Sequence, residues 1–313
     1  MNKRRVMLIG GSGFIGTHLV RRLLEDGITP VVVDWVRPTV AEAEYHAAEM
    51  RTVADLMPGL LESVEAVYLL AWTTKPQAAN QSPSYDLDSN VLAGLHFLDG
   101  LCKLQQRPRI VFVLTGGAIY GAPERLPVPE TVCTRPIGAY GIGKLVFEHY
   151  LELYRRLHGI DYVAVRPGNP YGEGQDPDAS QGAVGVFLGK VVRSEPIHIW
   201  GDGSVVRDYL YVGDLADGLR RILDYRPAGA DAPRTFNLGS GEGVTLAQLV
   251  ARIAAVAGRE PGVRYEPARL VDVPTIVLDC TRAWKLLGWS AATPLDEGLA
   301  RTWVWVRDTW AGR

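Results

Sequence analysis

The chain has 313 residues, enough to bury a large core as one domain or two interlocked lobes. Apolar residues make up 47% and charged residues 22%, the balance of a soluble globular protein. A formal net charge of −2 excludes the broad basic surface that nucleic acid or an anionic membrane requires. Cys102, Cys133 and Cys280 are odd in number and far apart, which predicts a reducing compartment, the cytoplasm, rather than a disulfide frame. The histidines are scattered with no pair at ligand spacing, so no metal is expected. The basic start "MNKRR" leads into an apolar run that stops at Gly10, too short for a secretory signal, and no run is long enough to cross a membrane.

In chain order, "RVMLIG" (5–10) and "TPVVVD" (29–34) read as buried parallel strands. Between them "SGFIGTHLVRRLLEDG" has helical apolar spacing and closes on Gly27. Further strands are "AVYLLA" (66–71), "RIVFVL" (109–114) and "DYVAV" (161–165), with helices near 84–104 and 140–158. Strands alternating with helices predict an α/β fold with a doubly wound parallel sheet. After Arg166 the Gly-, Pro- and Asp-rich "RPGNPYGEGQDPDASQGAVG" reads as loop. Then follow "PIHIWG", a helix over 213–224, "TFNLG" and a helix from Thr245 to Ala257 closed by Gly258. The last helix carries Leu295, Leu299, Trp303, Val306 and Trp310 on one face, which reads as core. Residues 1–166 are expected to form a cofactor-binding domain to which the chain returns around 205–240. Residues 167–204 and 241–313 are expected to form a smaller interleaved substrate lobe.

"GGSGFIG" places Gly10, Gly13 and Gly16 between the first strand and the first helix. Glycines here permit a tight turn and bring backbone N–H groups and the helix N-terminus close to a pyrophosphate. Asp34 ends the second strand 18 residues after Gly16, where a carboxylate can accept the ribose hydroxyls of an adenosine. An acid at that place disfavours a 2′-phosphate and favours NAD over NADP, although Arg37 stands nearby. Farther on, "AYGIGKLVF" puts Tyr140 and Lys144 four residues apart on one helix face. Gly141 and Gly143 each cost that helix about 1 kcal/mol, which suggests that something approaches its backbone closely. A free phenol titrates near about 10, and lowering it by about 3 units requires roughly 4 kcal/mol. A neighbouring ammonium and a cationic nicotinamide can supply this together.

The glycine turn, Asp34 and Tyr140-x-x-x-Lys144 resemble the extended short-chain dehydrogenase/reductase family, most closely its nucleotide-sugar epimerases of the UDP-galactose 4-epimerase type. The resemblance runs nearly the whole length and implies a Rossmann-like sheet with a smaller α/β lobe. It places Phe14 and Ile15, inside the glycine turn, against NAD, with Ala71 of "VYLLAW" beside the cofactor and Asn90 of "DSNVLAG" steadying the sheet near the nicotinamide. It implies a nucleotide-sugar substrate whose diphosphate is met by Asn169 of "VRPGNPYG" and Arg207 of "VRDYLYVGD". Arg269 and Asp272 of "ARLVDVP" would hold the nucleotide end. It also implies a homodimer built from the helices near 84–104 and 140–158, with Val91, Leu95, Leu98 and Phe147 as apolar contacts.

One position departs from the family's pattern. A Ser or Thr stands four residues before the tyrosine of its "VYG"-like triplet, and counting back from Tyr120 that place is Gly116. Thr115 is one residue earlier, and adjacent side chains of a strand point to opposite faces. Either the strand ends early and Gly116–Gly117 let Thr115 swing inward, or Tyr140 and backbone groups hold the sugar hydroxyl alone. Gly117 and Ala118 follow where the family's dehydratases and decarboxylases carry acids, so elimination chemistry is not expected. The resemblance thus implies C4 epimerisation through a 4-keto sugar, with Tyr140, Lys144 and Thr115 catalytic. A nucleotide-sugar reductase or dehydrogenase, and an NAD-holding protein without the chemistry, remain the alternatives.

Overall fold

Short apolar runs build the buried strands of the main sheet. The computed structural model describes residues 3–268 and 273–310. In chain order the strands are β1 (Arg5–Ile9), β2 (Thr29–Asp34), β3 (Glu44–Ala47), β4 (Ala66–Leu69), β5 (Arg109–Val113) and β6 (Tyr162–Pro167). They continue with β7 (Asn169–Tyr171), β8 (Ile197–Trp200), β9 (Val206–Tyr211), β10 (Thr235–Leu238), β11 (Gly243–Thr245) and β12 (Val263–Glu266). One sheet has seven strands in the order β10-β6-β5-β4-β1-β2-β3. The pairs β1–β2, β1–β4, β2–β3, β4–β5 and β5–β6 are parallel. This is the doubly wound order of a dinucleotide-binding sheet.

By contacts the chain groups into two compact units. One consists of Met1–Ile119, Pro136–Arg166 and Ala216–Phe236; the other consists of Tyr120–Arg135, Pro167–Leu215 and Asn237–Arg313. The segment Tyr120–Arg135, which the sequence places with the first lobe, groups with the second. Val128 exchanges hydrogen bonds with Val277 and Asp279, and Glu130 accepts the Asn237 amide. Residues 205–215 also group there, because β9 is the middle strand of a small sheet.

In the first unit, β1, β2 and β4–β6 are buried on both faces, which is why their sequences are continuous rather than alternating. The helix Phe14–Glu25 buries Gly16, Leu19, Val20 and Leu23, one helical stripe. It stops where the Gly27 amide bonds the Leu24 carbonyl and the Ile28 amide bonds Leu23, a Schellman closure with Gly27 at φ +69. The long helix Ala139–His158 packs Phe147 and Leu151 into the core formed with Phe97, Leu98 and Phe112. The stretch near 84–104 is not one α-helix. It runs as Pro83–Asp86, a π-helical turn Leu87–Leu92, and an α-helix Ala93–Cys102.

In the second unit, β9 pairs with β7 in parallel and with β11 antiparallel, and β8 pairs with β12. Three helices, Ala183–Val192, Leu246–Ala257 and Leu295–Trp310, share a core that includes Phe187, Leu249, Ile253, Leu299 and Val306. Trp303 and Trp310 pack against that core, as the sequence pattern predicts. Thr245 and Gln248 form a reciprocal capping box at the start of the second of these helices, and Gly258 ends it in the left-handed region. Among the described residues no helix is long and apolar enough to cross a membrane.

Candidate active site

The glycine turn joins β1 to the first helix. Gly10 has φ +86, and a Cβ there would lie 2.5 Å from the Ala71 amide nitrogen, so Ala71 packs directly on the turn. A Cβ at Gly16 would meet the Gly11 carbonyl at 2.6 Å, which lets the helix seat close to the turn. Gly13 is different: a Cβ there would meet only the Gly10 carbonyl, at 3.4 Å. Gly13 is also the helix N-cap and supplies no side-chain acceptor, and the first turn contains no acid. The amides of Phe14, Ile15 and Gly16 therefore lack a side-chain cap, and a diphosphate suits them. Asp34 accepts the Ser12 amide at 3.1 Å and the Trp35 amide at 2.7 Å. It fixes the turn against the end of β2 and keeps acceptor capacity for a ribose hydroxyl. Arg37 stacks over the Tyr45 ring at 5.1 Å. The residues present fit NAD.

Tyr140 and Lys144 lie in the first two turns of Ala139–His158. Lys144 is buried and donates to the Val113 carbonyl at the end of β5, 2.8 Å away. Its ammonium lies 4.2 Å from the Trp72 ring centre, 4.9 Å from Phe112 and 5.8 Å from Tyr140. The rings of Trp72 and Tyr140 meet edge to face at 6.3 Å. Burial holds Lys144 down at about 7, with nearby Asp86 opposing the shift. Burial also pushes the Tyr140 phenol up to about 12, and Asp86 adds to that. The sequence reading expects a lowered phenol; the protein's own groups act in the opposite direction. The reason is that burial dominates at the phenol and the negative charge of Asp86 further disfavours a phenolate.

Both helix glycines have neighbours that account for them. A Cβ at Gly143 would fall 2.6 Å from Asp86 Oδ2, and one at Gly141 would fall 2.8 Å from the Ala118 carbonyl. Asn90, in the π-helical turn, accepts the Thr73 amide at 2.7 Å and donates to the Asp86 carbonyl at 2.9 Å. It steadies the chain just past β4. Asp86, Trp72 and Thr74 escape a motif reading; the only trace of them is the four-residue spacing from Asp86 to Asn90.

Strand β5 ends at Val113, and the Leu114 amide makes a last bond to Val165. Gly116–Ile119 then forms a helical turn that packs against Gly141. Thr115 stands at the break, half-buried. Strand alternation therefore does not govern its direction. In the second unit, Asn169 opens β7, half-buried. Arg207 lies on β9 and donates to the Val206 and Val273 carbonyls at 2.9 and 2.6 Å. Between Arg207 and Tyr209, Asp208 is fully buried and accepts from Ser240, Gly241 and Leu278. Arg269 and Asp272 lie outside the described residues.

These features define a dinucleotide-binding α/β enzyme. Residues 6–239 match the NAD-dependent epimerase/dehydratase family, and the chain belongs to it, with NAD as its cofactor. A UDP-glucose 4-epimerase of Mycolicibacterium smegmatis is 33% identical over 309 residues, 95% of this chain and 97% of that protein. The crystal structure of a Thermotoga maritima UDP-glucose 4-epimerase with UDP-glucose superimposes with a TM-score of 0.89 at 34% identity, covering 97% of this chain and 99% of the other. A Thermus thermophilus UDP-glucose 4-epimerase in complex with NAD gives 0.87 at 31% identity, covering 97% and 99%.

Proposed function

We propose that the protein epimerises a UDP-sugar at C4 through a transient 4-keto sugar. The observation that carries this reading is the Tyr140–Lys144 pair, a phenol and an aromatic-walled ammonium one helical turn apart. The UDP-glucose and NAD bound by structural relatives covering 97% of the chain support the substrate and cofactor classes. NAD supplies a hydride acceptor at C4 and a positive charge when bound. Tyr140 removes the proton of the 4-hydroxyl and later returns it, Lys144 holds the nicotinamide ribose, and Thr115 orients the hydroxyl. Asn169, Arg207, Arg269 and Asp272 hold the nucleotide end while the sugar turns.

Bringing Tyr140 from about 12 to near neutrality takes roughly 7 kcal/mol. One opposite charge moves a pKa by about 1–3 units, so Lys144 alone is insufficient, and a charge carried by the cofactor must contribute. The reading is tested by incubating the purified protein with UDP-glucose and following the anomeric signals by NMR. UDP-galactose should appear with no net NADH formed. Net cofactor turnover, or no epimer from UDP-glucose, UDP-galactose or their 2-acetamido forms, would overturn it.

The active species is a homodimer in this reading, but not through the residues first expected. Val91, Leu98 and Phe147 are buried in the chain's own core, and Leu95 packs against it. On the same helices Leu92, Leu153 and Leu157 are exposed, the last by 65%, and they supply the apolar contact instead. Light scattering at micromolar concentration should return a dimer mass. The three free cysteines suit the reducing cytoplasm.

A further inference from the structure

Asp86 is a carboxylate that the catalytic reading leaves unused. It is 1% exposed, and its Oδ1 accepts from Trp72 Nε1 at 3.1 Å, from Asn90 Nδ2 at 3.1 Å and from the Thr74 hydroxyl. Its Oδ2 has no hydrogen-bond partner and faces the Cα of Gly143, the residue before Lys144. An unpaired oxygen buried in this way is costly unless a nearby charge offsets it. Lys144 supplies that charge. It is itself 2% exposed, with the Val113 carbonyl accepting from its ammonium and the Trp72 ring lying across it.

We propose that Asp86 is the buried counter-ion of Lys144, a positioning residue that keeps the ammonium charged and seated beneath Trp72. Trp72 couples the two groups: its N–H edge meets the carboxylate and its face meets the ammonium. Donation to an anion pushes indole electron density toward the ring face, which strengthens the attraction for a cation. Nothing else charged faces Lys144 among the described residues. The segment after β4 offers Trp72, β5 offers Phe112 and the Val113 carbonyl, and its own helix offers the neutral phenol of Tyr140. The opposition between burial and Asp86 at Lys144 agrees with this arrangement. Gly143 has the same explanation, since any larger residue would displace the carboxylate.

The proposal rests on Lys144 belonging to the catalytic pair, but its test needs no turnover and can fail independently of that reading. The full-length protein, carrying whatever NAD it retains, is labelled with 13Cε-lysine and titrated by NMR; Lys144→Met identifies the signal. Asp86→Asn keeps the shape and removes the charge, and it should lower the Lys144 midpoint by about one pH unit or more. Thr74→Val removes one donor but no charge and should move the midpoint far less. Trp72→Phe keeps an aromatic ring without the N–H and should lower the midpoint by less than Asp86→Asn does. An unmoved midpoint in Asp86→Asn overturns the proposal. Should that variant not fold, an unmoved midpoint in Trp72→Phe does the same.

Discussion

Thr115 tests how much of the chemistry depends on one hydroxyl. It sits between the last residues of β5 and the turn Gly116–Ile119, with a half-buried side chain. Thr115→Val keeps the shape and removes the hydroxyl, and turnover should fall about 10²–10⁴-fold if it relays the proton. Thr115→Ser should retain most activity. Tyr140→Phe should abolish turnover while the protein still co-purifies with NAD. A Thr115→Val enzyme that runs like the parent would leave Tyr140 and backbone groups to do the work. Asp34 has a role of the same scale at the other end of the cofactor. Asp34→Ala removes the acceptor that holds the Ser12 and Trp35 amides, and it should weaken NAD binding far more than NADP binding. Equal losses in a fluorescence titration would reject the ribose role.

At the scale of elements, the helix Ala139–His158 shows why propensity alone misleads. Gly143→Ala should gain about 1 kcal/mol of helix propensity. The new Cβ, however, would lie 2.6 Å from Asp86 Oδ2 and 3.3 Å from the Trp72 ring. Overpacking of this kind costs about 1–3 kcal/mol, so urea unfolding should show a net loss. A more stable variant would mean that the carboxylate moves aside freely. The same helix marks the limit of what the sequence reveals. The Tyr140–Lys144 spacing, the Gly27 and Gly258 stops and the five apolar strands are local patterns, and all are legible. Strand β3, "EYHA", carries no apolar run; its pairing with β2 comes from tertiary context, so nothing in its sequence announces it. The π-helical turn at Leu87–Leu92 is equally silent, because a single widened i→i+5 turn has no residue signature of its own within an apolar helical stretch. The phenol's upward shift comes from its burial and from Asp86, a residue distant in sequence from the helix that bears it.

For the whole molecule the order of segments matters as much as their packing. Glu148 on the long helix, Arg166 on β6 and Thr235 on β10 form one buried cluster, with the Arg166–Glu148 pair at 2.8 Å and the Thr235 hydroxyl donating to Glu148 at 3.0 Å. Arg166→Met would leave a buried carboxylate uncompensated and should cost about 3–5 kcal/mol, read from denaturant midpoints. A loss below about 1 kcal/mol, the scale of an exposed pair, would show that water reaches the cluster. The chain crosses between its two units after residues 119, 135, 166, 215 and 236. During synthesis, β6 is therefore complete long before its neighbour β10 exists. At about 5–20 residues per second, the 70 residues from 166 to 236 take roughly 4–14 s to make. Throughout that interval the nascent chain presents the bare edge of β6, a row of unpaired amides and carbonyls beside a finished apolar strand. Slow codons within 167–234 would lengthen this exposure.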